Sequence, residues 1–477
     1  MEGEVVMDTA IIFVALIGLM YAAYRGASII FVAPVFAVIA ALGSEHASLP
    51  VFSELYMTRA AEYVKNYYAI FLFGAIFAKL MEKGGMAASV ADKIINVLGE
   101  KQAVLAVLLG CGALTYGGLS VFVVAFVMYP FGAVVFKKAD IPKRLLPAAL
   151  WMGIFSFAMV SLPGTPQIQN IIPSSYFGTS TWSGMGIGIF ASSIFLIMGW
   201  GWVSFRAKRL KAQGEGYGRH VEFGQRRHKL PNPDWKVSCI PLVMVIGINV
   251  FLSNPFGWDW AYHWDQSALE SFAPLKLSLL AAKVSKVSAV WSITISLIMS
   301  SIVAAYIARR RLQMQDGILH TVNDSALSSC TAAMNVASGY AFGCVVVSLA
   351  GFGVVKELLL NLDFGGGPLF SAVLTTNVMC GITGSASGGM TIALSMLGEQ
   401  WAAMATQAGI PLEVLHRIIA VSSVGIDPVP HCGALVTMLA ICGLSHKESY
   451  MDIAILMGMK FLVPFLCVLF YMITGIA

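Results

Sequence analysis

The chain has 477 residues, of which 58% are hydrophobic and only 12% are charged, and its mean hydropathy is +0.78. Soluble globular proteins usually carry about 25% charged residues, so this composition excludes a soluble protein and indicates an integral membrane protein. The formal net charge of +5 comes mainly from Lys and Arg in connecting segments. In a membrane protein such clusters report orientation, and they give no indication of nucleic-acid binding. The eight cysteines stand singly, without metal-ligand spacing, and are interpreted as core residues.

The first three apolar runs, at about 9–24, 28–43 and 66–81, are predicted as spans because roughly 20 apolar residues cross a bilayer. Basic residues follow the first and third runs, so the positive-inside rule places the N-terminus outside. Segment 102–136 is apolar but interrupted at 110–118, and it has basic residues at both ends. It is therefore predicted as a re-entrant hairpin that opens on the cytoplasm.

Segment 145–183 is predicted as a broken transmembrane helix, because it contains Pro163-Gly164-Thr165-Pro166. Two prolines and a glycine cannot continue an α-helix, and the backbone groups that they free cannot face lipid. The break must therefore face protein or a watery cavity. A return span at about 185–205 completes a first repeat, residues 1–205.

Segment 206–236 carries nine Lys or Arg residues against three acidic ones and is predicted as a cytoplasmic linker. The second repeat, residues 237–477, follows it with spans predicted at about 237–253, 287–308 and 328–350. Segment 368–398 lacks basic flanks and is predicted as a hairpin that opens outside. Segment 412–445 is a second broken helix, interrupted at 425–433, and a last span at about 452–474 leaves the C-terminus outside.

Short sequence matches between the halves support an internal repeat. Ala139-Asp140-Ile141-Pro142 matches Ala408-Gly409-Ile410-Pro411, the pair Gly117-Gly118 matches Gly388-Gly389, and Pro163 aligns with Pro428. Because the five crossings predicted before the linker are an odd number, the second copy must be inverted. The predicted fold is an all-α polytopic membrane protein with about ten spans, two re-entrant hairpins and two broken helices.

Interrupted hydrophobic segments in corresponding places of two halves are the best sequence indication of a transporter's binding site. Half-helix N-termini converging there would favour an anion without an intramembrane Arg or Lys. The candidate substrate-binding residues are small or polar residues of the hairpin tips and the first break: Tyr116, Gly117, Gly118, Thr165, Gln167, Asn170, Thr383, Ser385, Ser387 and Gly388. The alternative is that such side chains bond backbone carbonyls or permit close packing.

Asp427 and His431 lie in the second break and are the candidate proton-coupling groups, because an ionisable side chain at mid-membrane is costly and functional by default. His431 has a reference pKa of about 6.5 and could exchange a proton in the physiological range. A structural Asp-His pair that stabilises the break is the alternative. No cofactor or metal is expected; a co-transported proton is favoured over sodium.

Several motifs resemble the gluconate:proton symporter (gluconate permease) family of the ion transporter superfamily. They are Tyr116-Gly117-Gly118, Ile141-Pro142-Lys143-Arg144-Leu145, Pro163-Gly164-Thr165-Pro166, Gly384-Ser385-Ala386-Ser387-Gly388-Gly389 and Gly443-Leu444-Ser445-His446-Lys447-Glu448. The resemblance implies proton-coupled uptake of small organic acids across the bacterial inner membrane, by a homodimer that uses an elevator-like step.

Gluconate-specific members have a His-Val-Asn-Asp-Ser-Gly run near the second break, where this chain has Pro428-Val429-Pro430-His431-Cys432-Gly433. The chain is more similar to the D-β-hydroxybutyrate permease branch, which implies a short hydroxy- or keto-monocarboxylate such as 3-hydroxybutyrate. Gluconate or another sugar acid is one alternative. A sodium-coupled carboxylate carrier is another, although neither break has the Ser-Asn-Thr signature of the dicarboxylate branch.

Two other functional classes fit the sequence less well. A membrane enzyme is disfavoured because the chain has no His-Glu-x-x-His motif and no paired catalytic Asp. A channel is possible, but oppositely oriented hairpins fit alternating access better. The expected partners are a small organic acid anion, the lipid bilayer and a second copy of the chain, with no nucleic acid.

Overall fold

Helices account for all the regular secondary structure in the described part of a computed structural model of the chain. The structure describes residues 2–25, 27–42, 48–218, 231–275, 279–315, 317–349, 351–353, 357, 367–430 and 432–477. Among these residues, eight helices are long and apolar enough to cross a membrane, or nine if one bent pair is counted as a span. The predicted fold class, an all-α polytopic membrane protein, is confirmed.

The described helices of eight or more residues are numbered in chain order. They are α1 Glu2–Tyr24, α2 Ile29–Leu42, α3 Met57–Lys83, α4 Met86–Leu98, α5 Ala103–Tyr116, α6 Val121–Lys138, α7 Leu146–Ile154, α8 Ile168–Phe177, α9 Met185–Ala212, α10 Trp235–Ser253, α11 Ser288–Gln313, α12 Gly317–Ser348, α13 Pro368–Thr383, α14 Ala386–Gln407, α15 Leu412–Ser422, α16 Gly433–Cys442 and α17 His446–Thr474.

Two pairs of helices form hairpins whose ends return to the side from which they started. In hairpin 1, the ends of α5 and α6 that lie away from the tip are close together, since Lys138 Nζ lies 3.6 Å from Glu100 Oε1. In hairpin 2, the ends of α13 and α14 away from the tip are also close together, since a Cβ on Gly367, just before α13, would lie 3.5 Å from Ile410, just after α14. Hairpin 1 is entered through the amphipathic helix α4, which meets the segment that contains α5 at an angle of 101°.

The corner that follows each hairpin has the same backbone in both halves. Asp140 and Gly409 adopt left-handed conformations, with φ of 52° and 69°. Ile141 N–H donates to Phe136 O and Ile410 N–H donates to Ala405 O, at 2.9 and 2.8 Å. A non-glycine residue rarely adopts positive φ, so Asp140 reproduces at some conformational cost the turn that Gly409 makes freely.

The broken helices also correspond. The first consists of α7 and α8, the second of α15 and α16, and both α8 and α16 have ten residues. Each of these second halves ends at a glycine in the left-handed region, Gly178 and Gly443, with φ of 67° and 62°. Both glycines serve as helix C-caps, a position that needs positive φ. These shared backbone features support the internal repeat in addition to the short sequence matches.

One predicted correspondence is wrong. Gly117 and Gly118 do lie at the tip of hairpin 1, but Gly388 and Gly389 lie inside the first turns of α14. The tip of hairpin 2 is the turn at Gly384 and Ser385 that precedes them. A Cβ on Gly389 would lie 2.3 Å from the Cys380 backbone, so Gly389 allows the two arms of the hairpin to approach closely.

The described parts of the basic segments, which include residues 206–218 and 231–236 of the linker, meet at one face of the molecule. The linker contacts that join them include an ion pair between Arg144 and Glu215 at 2.8 Å and a hydrogen bond from Ser89 Oγ to Pro233 O at 2.7 Å. At the opposite face, Gly186 N–H donates to Ala477 O at 2.8 Å. The two faces therefore separate as the positive-inside rule expects of cytoplasmic and outer loops.

Labelling with a membrane-impermeant maleimide tests which face is cytoplasmic. In a cysteine-depleted chain, we expect Cys at Lys138, beside the ends of hairpin 1, to react only after the cytoplasmic side is exposed. Cys at Ala408, beside the ends of hairpin 2, should react in intact cells, since both positions are exposed. Labelling of both positions from the same side would contradict opposed hairpins.

Candidate substrate and proton site

The first break lies between α7 and α8, at residues 155–167, and side-chain donors satisfy its backbone carbonyls. Thr165 Oγ1 donates to Ala158 O at 2.7 Å. Asn170 Nδ2 donates to Thr165 O at 3.0 Å and to Thr181 O at 2.8 Å. Proline removes N–H groups and leaves their former acceptors unpaired, so a break in the membrane needs such donors.

The tip of hairpin 1 is fixed to this break. Tyr116 Oη donates to Pro163 O at 2.7 Å, and Gln167 Nε2 donates to Thr115 O and Leu119 O at 2.8 and 3.1 Å. A Cβ on Gly117 would lie 2.6 Å from Leu242 of α10, which makes a larger residue unfavourable there. Tyr116 and Gln167 thus serve in this structure as structural links.

Arg417 of α15 joins the two broken helices. Its side chain is completely buried and donates to Val160 O, Thr181 O and Ser183 O, and to Asn170 Oδ1 at 2.7 Å. A guanidinium has five N–H groups, and these contacts use all of them. The Arg417 side chain therefore has no donor left for a substrate, although its positive charge remains.

Two buried cations lie where the sequence prediction expected none. Arg417 lies in α15, the first half of the second broken helix, and Lys460 lies near the middle of the 29-residue helix α17. Two buried cations therefore lie beside the breaks, and the expectation that half-helix N-termini alone would favour an anion stays a prediction. Lys460 carried a readable signal, since it interrupts the apolar run 452–474 and an ionisable residue in a span is a functional candidate.

The second break, at residues 423–432, contains a buried ion pair. Lys460 Nζ lies 3.0 Å from Asp427 Oδ1, and the two side chains are 0% and 4% exposed. The Lys460 ammonium also lies 5.8 Å from the centre of the Trp151 ring of α7. Asp427 is thus at the predicted position in the break, but its described partner is Lys460. His431 lies outside the described residues, and its role stays a prediction.

Hairpin 2 covers the second break. A Cβ on Gly425 would lie 1.9 Å from Asn377 Oδ1, and one on Gly381 would lie 3.3 Å from Ile426. At the tip, Thr383 Oγ1 donates to Met379 O at 2.9 Å. Ser385 Oγ caps α14 by accepting from Gly388 N–H at 3.2 Å. Access to Asp427 and Lys460 from this side therefore requires hairpin 2 to move.

Most candidate substrate-binding side chains hold backbone in this structure. Six of them are engaged in this way: Tyr116, Thr165, Gln167, Asn170, Thr383 and Ser385. Ser387 is 8% exposed, and its hydroxyl has no hydrogen-bond partner among the described residues. Gly118 and Gly388 contribute backbone at a tip and at a first helical turn. The structure joins these residues in two groups, each formed by one hairpin and one break.

A cavity of about 770 Å³ lies between two groups of helices. One wall is formed by α3, α11 and α12, and the other by α8 and α14. Its polar lining includes Arg59, Glu62 and Lys65 of α3, and Glu399 of α14. The first turns of α3 are polar and were not part of the predicted apolar span, so α3 begins at Met57, nine residues before the predicted start. None of the described candidate site residues lines this cavity.

Comparison with known proteins connects this architecture to transport. The curated protein "Uncharacterized transporter YxjC" of Bacillus subtilis (strain 168) is 36% identical to this chain over 488 aligned positions, which cover 98% of this chain and 100% of YxjC. This chain belongs to the YxjC transporter family. No protein-family model matches the sequence.

One solved structure is similar to this chain in its fold. The crystal structure of the YdaH transporter of Alcanivorax borkumensis, described as having an unusual topology, matches with a TM-score of 0.59 at 11% identity. The match covers 98% of this chain and 99% of YdaH. At this identity the likeness concerns the fold alone, and it supports the multi-pass helical architecture.

Neutralising one partner of the buried ion pair should destabilise the protein more than neutralising both. Asp427→Asn or Lys460→Met leaves a buried charge without its partner, which costs about 3 kcal/mol or more. The double variant D427N/K460M should therefore unfold at a higher temperature than either single variant. Thermal unfolding of the purified protein measures this. Additive losses in the double variant would show that the pair is not coupled.

Arg417→Lys should lower the unfolding temperature strongly, although it conserves the charge. Lysine has three donors on a flexible stem and cannot reproduce five bonds of a planar guanidinium, so we expect a loss of about 3 kcal/mol or more. Arg310→Lys, an exposed residue near the end of α11, is the matched control and should have little effect. Equal unfolding temperatures for the two variants would contradict the bridging role of Arg417.

Proposed function

We propose that this transporter carries a small organic acid anion into the cell together with a proton, by an elevator-like alternating-access step. The observation that carries the proposal is the buried carboxylate of Asp427 in the second break, held by Lys460 at 3.0 Å beneath hairpin 2. A mid-membrane carboxylate is costly unless it is paired or protonated. It is therefore suited to bind and release a proton during a transport cycle.

The substrate is proposed to be a short hydroxy- or keto-monocarboxylate such as 3-hydroxybutyrate. Two observations favour an anion: the buried guanidinium of Arg417, which pairs with no carboxylate among the described residues, and the buried ammonium of Lys460. The preference for a short acid rests on the resemblance to the D-β-hydroxybutyrate permease branch. Gluconate, another sugar acid or sodium coupling is the alternative to test.

The elevator-like step is supported by the position of the 770 Å³ cavity. It lies between α3, α11 and α12 on one side and α8 and α14 on the other, so a sliding movement of the hairpins and broken helices would open or close it. The first group would remain fixed in the membrane. A homodimer in the bacterial inner membrane, with both termini outside, completes the proposal and would hold that fixed group in place.

Uptake of labelled 3-hydroxybutyrate into proteoliposomes tests the proposed function. An alkaline interior should stimulate uptake by wild-type protein, and dissipation of the pH gradient should abolish the stimulation. Asp427→Asn should lose it, because amide side chains do not exchange protons in this range. Glu413→Gln, an exposed carboxylate at the start of α15, is the matched control and should transport as wild type does.

Three results would argue against parts of this proposal. Uptake that requires a sodium gradient and ignores the pH gradient would replace proton coupling. Stronger inhibition by gluconate than by unlabelled 3-hydroxybutyrate would favour a sugar acid as the substrate. Current far above a turnover-limited flux would indicate a channel. His431→Ala belongs in the same assay, since that side chain is the second candidate for proton exchange.

A further inference from the structure

The Lys460 side chain has more hydrogen-bonding capacity than its surroundings use. An ammonium carries three N–H donors, but among the described residues Asp427 Oδ1 is the only acceptor within hydrogen-bonding distance of Lys460 Nζ. The ammonium also lies 5.8 Å from the centre of the Trp151 ring. Arg417 differs in this respect, because protein acceptors occupy its whole guanidinium. Lys460 is therefore the buried cation that can accept a new anionic partner.

The pair between Lys460 and Asp427 depends on the proton that the proposed function assigns to Asp427. The other titratable groups that face Asp427 from described elements are the thiols of Cys380 in α13 and Cys432 at the end of the break. Thiols ordinarily titrate at about pH 8.5, so near neutral pH they leave Lys460 as the charged neighbour. When Asp427 binds a proton, the ammonium loses its counter-charge and remains buried.

We propose that Lys460 binds the carboxylate of the transported acid, and that it does so only when protonation of Asp427 releases it. This inference rests on the proposed function and assigns the residue that couples the two ligands. In the empty site the ammonium pairs with the Asp427 carboxylate. In the loaded site it pairs with the substrate carboxylate, while Asp427 is a neutral acid that can donate to the same substrate.

This exchange makes coupling obligatory on electrostatic grounds. The empty and the fully loaded site contain the same buried charges, one ammonium and one carboxylate. A proton without substrate leaves a lone buried ammonium, and substrate without a proton leaves two carboxylates against one ammonium. Each of these half-loaded forms carries an uncompensated charge whose burial is unfavourable. The stoichiometry is then one proton for each monocarboxylate, and the transport cycle is electroneutral.

Binding measurements on the purified full-length protein test the exchange without requiring transport. The probes are 3-hydroxybutyrate, lactate, acetoacetate and gluconate, and the readout is ligand-induced thermal stabilisation in acidic and in alkaline buffer. Wild type should be stabilised by at least one of these acids, and only in acidic buffer. Asp427→Asn should be stabilised in both buffers, since its ammonium is always released. Lys460→Met should bind at least tenfold more weakly or not at all.

Two further variants control for folding and for nonspecific charge effects. D427N/K460M removes both charges and should fold without binding the acids, which separates loss of binding from loss of fold. Asp452→Asn neutralises another buried carboxylate, which pairs with Arg206 at 2.7 Å near the inner end of α17, and it should keep the pH dependence of wild type.

Several outcomes would overturn the inference. They are binding by Lys460→Met or by D427N/K460M at wild-type strength, wild-type pH dependence in Asp427→Asn, and no stabilisation of wild type by any of the four acids in acidic buffer. A change of uptake rate with imposed membrane potential would exclude the electroneutral stoichiometry. If uptake follows the pH gradient while binding shows one of these contradicting outcomes, only this inference fails. If uptake ignores the pH gradient, the proposed function itself fails.

Discussion

The structure depends on how polar backbone is satisfied at the two helix breaks inside the apolar part of the molecule. Proline removes N–H donors but keeps carbonyl acceptors, so each break has a surplus of carbonyls that lipid cannot satisfy. At the first break the missing donors come from Tyr116, Thr165, Asn170 and Arg417. This requirement explains why amide, hydroxyl and guanidinium groups concentrate there. A sequence that places such residues beside a break is therefore compatible with a purely structural role.

The two breaks solve this problem with different chemistry. The first uses neutral donors and the Arg417 guanidinium, and most of its candidate side chains are bonded to backbone. The second holds an ion pair between Asp427 and Lys460, whose attraction depends on a proton. The repeat is thus symmetric in its corners and caps but asymmetric at its centre. In the proposed function, the first break supports the site and the second break changes its charge.

Local features of the fold were predictable from the sequence, whereas long-range pairs were not. The Ile-Pro corners, the hairpins and the breaks follow from apolar runs, basic flanks and residues that end helices. The prediction that Gly388-Gly389 forms a tip is wrong. A glycine pair can form a tip or allow close helix packing, and the sequence does not distinguish these two roles. The bonds of Arg417 join residues 247 positions apart. The sequence does not show these partners, because they come together only when both broken helices pack in the folded protein.

The contacts of Arg417 also limit which parts can move during the proposed elevator step. Charge-assisted hydrogen bonds each contribute about 1.5–3 kcal/mol, and five of them connect α15 with the first break, with α8 and with the loop that precedes α9. Separating the two broken helices would break these bonds in an apolar environment, where no water replaces them. The broken helices should therefore move as one body. In the proposed step, the surface along which they slide is the cavity wall against α3, α11 and α12, where side-chain hydrogen bonds such as Tyr176–Tyr340 and Ser395–Cys344 join neutral groups.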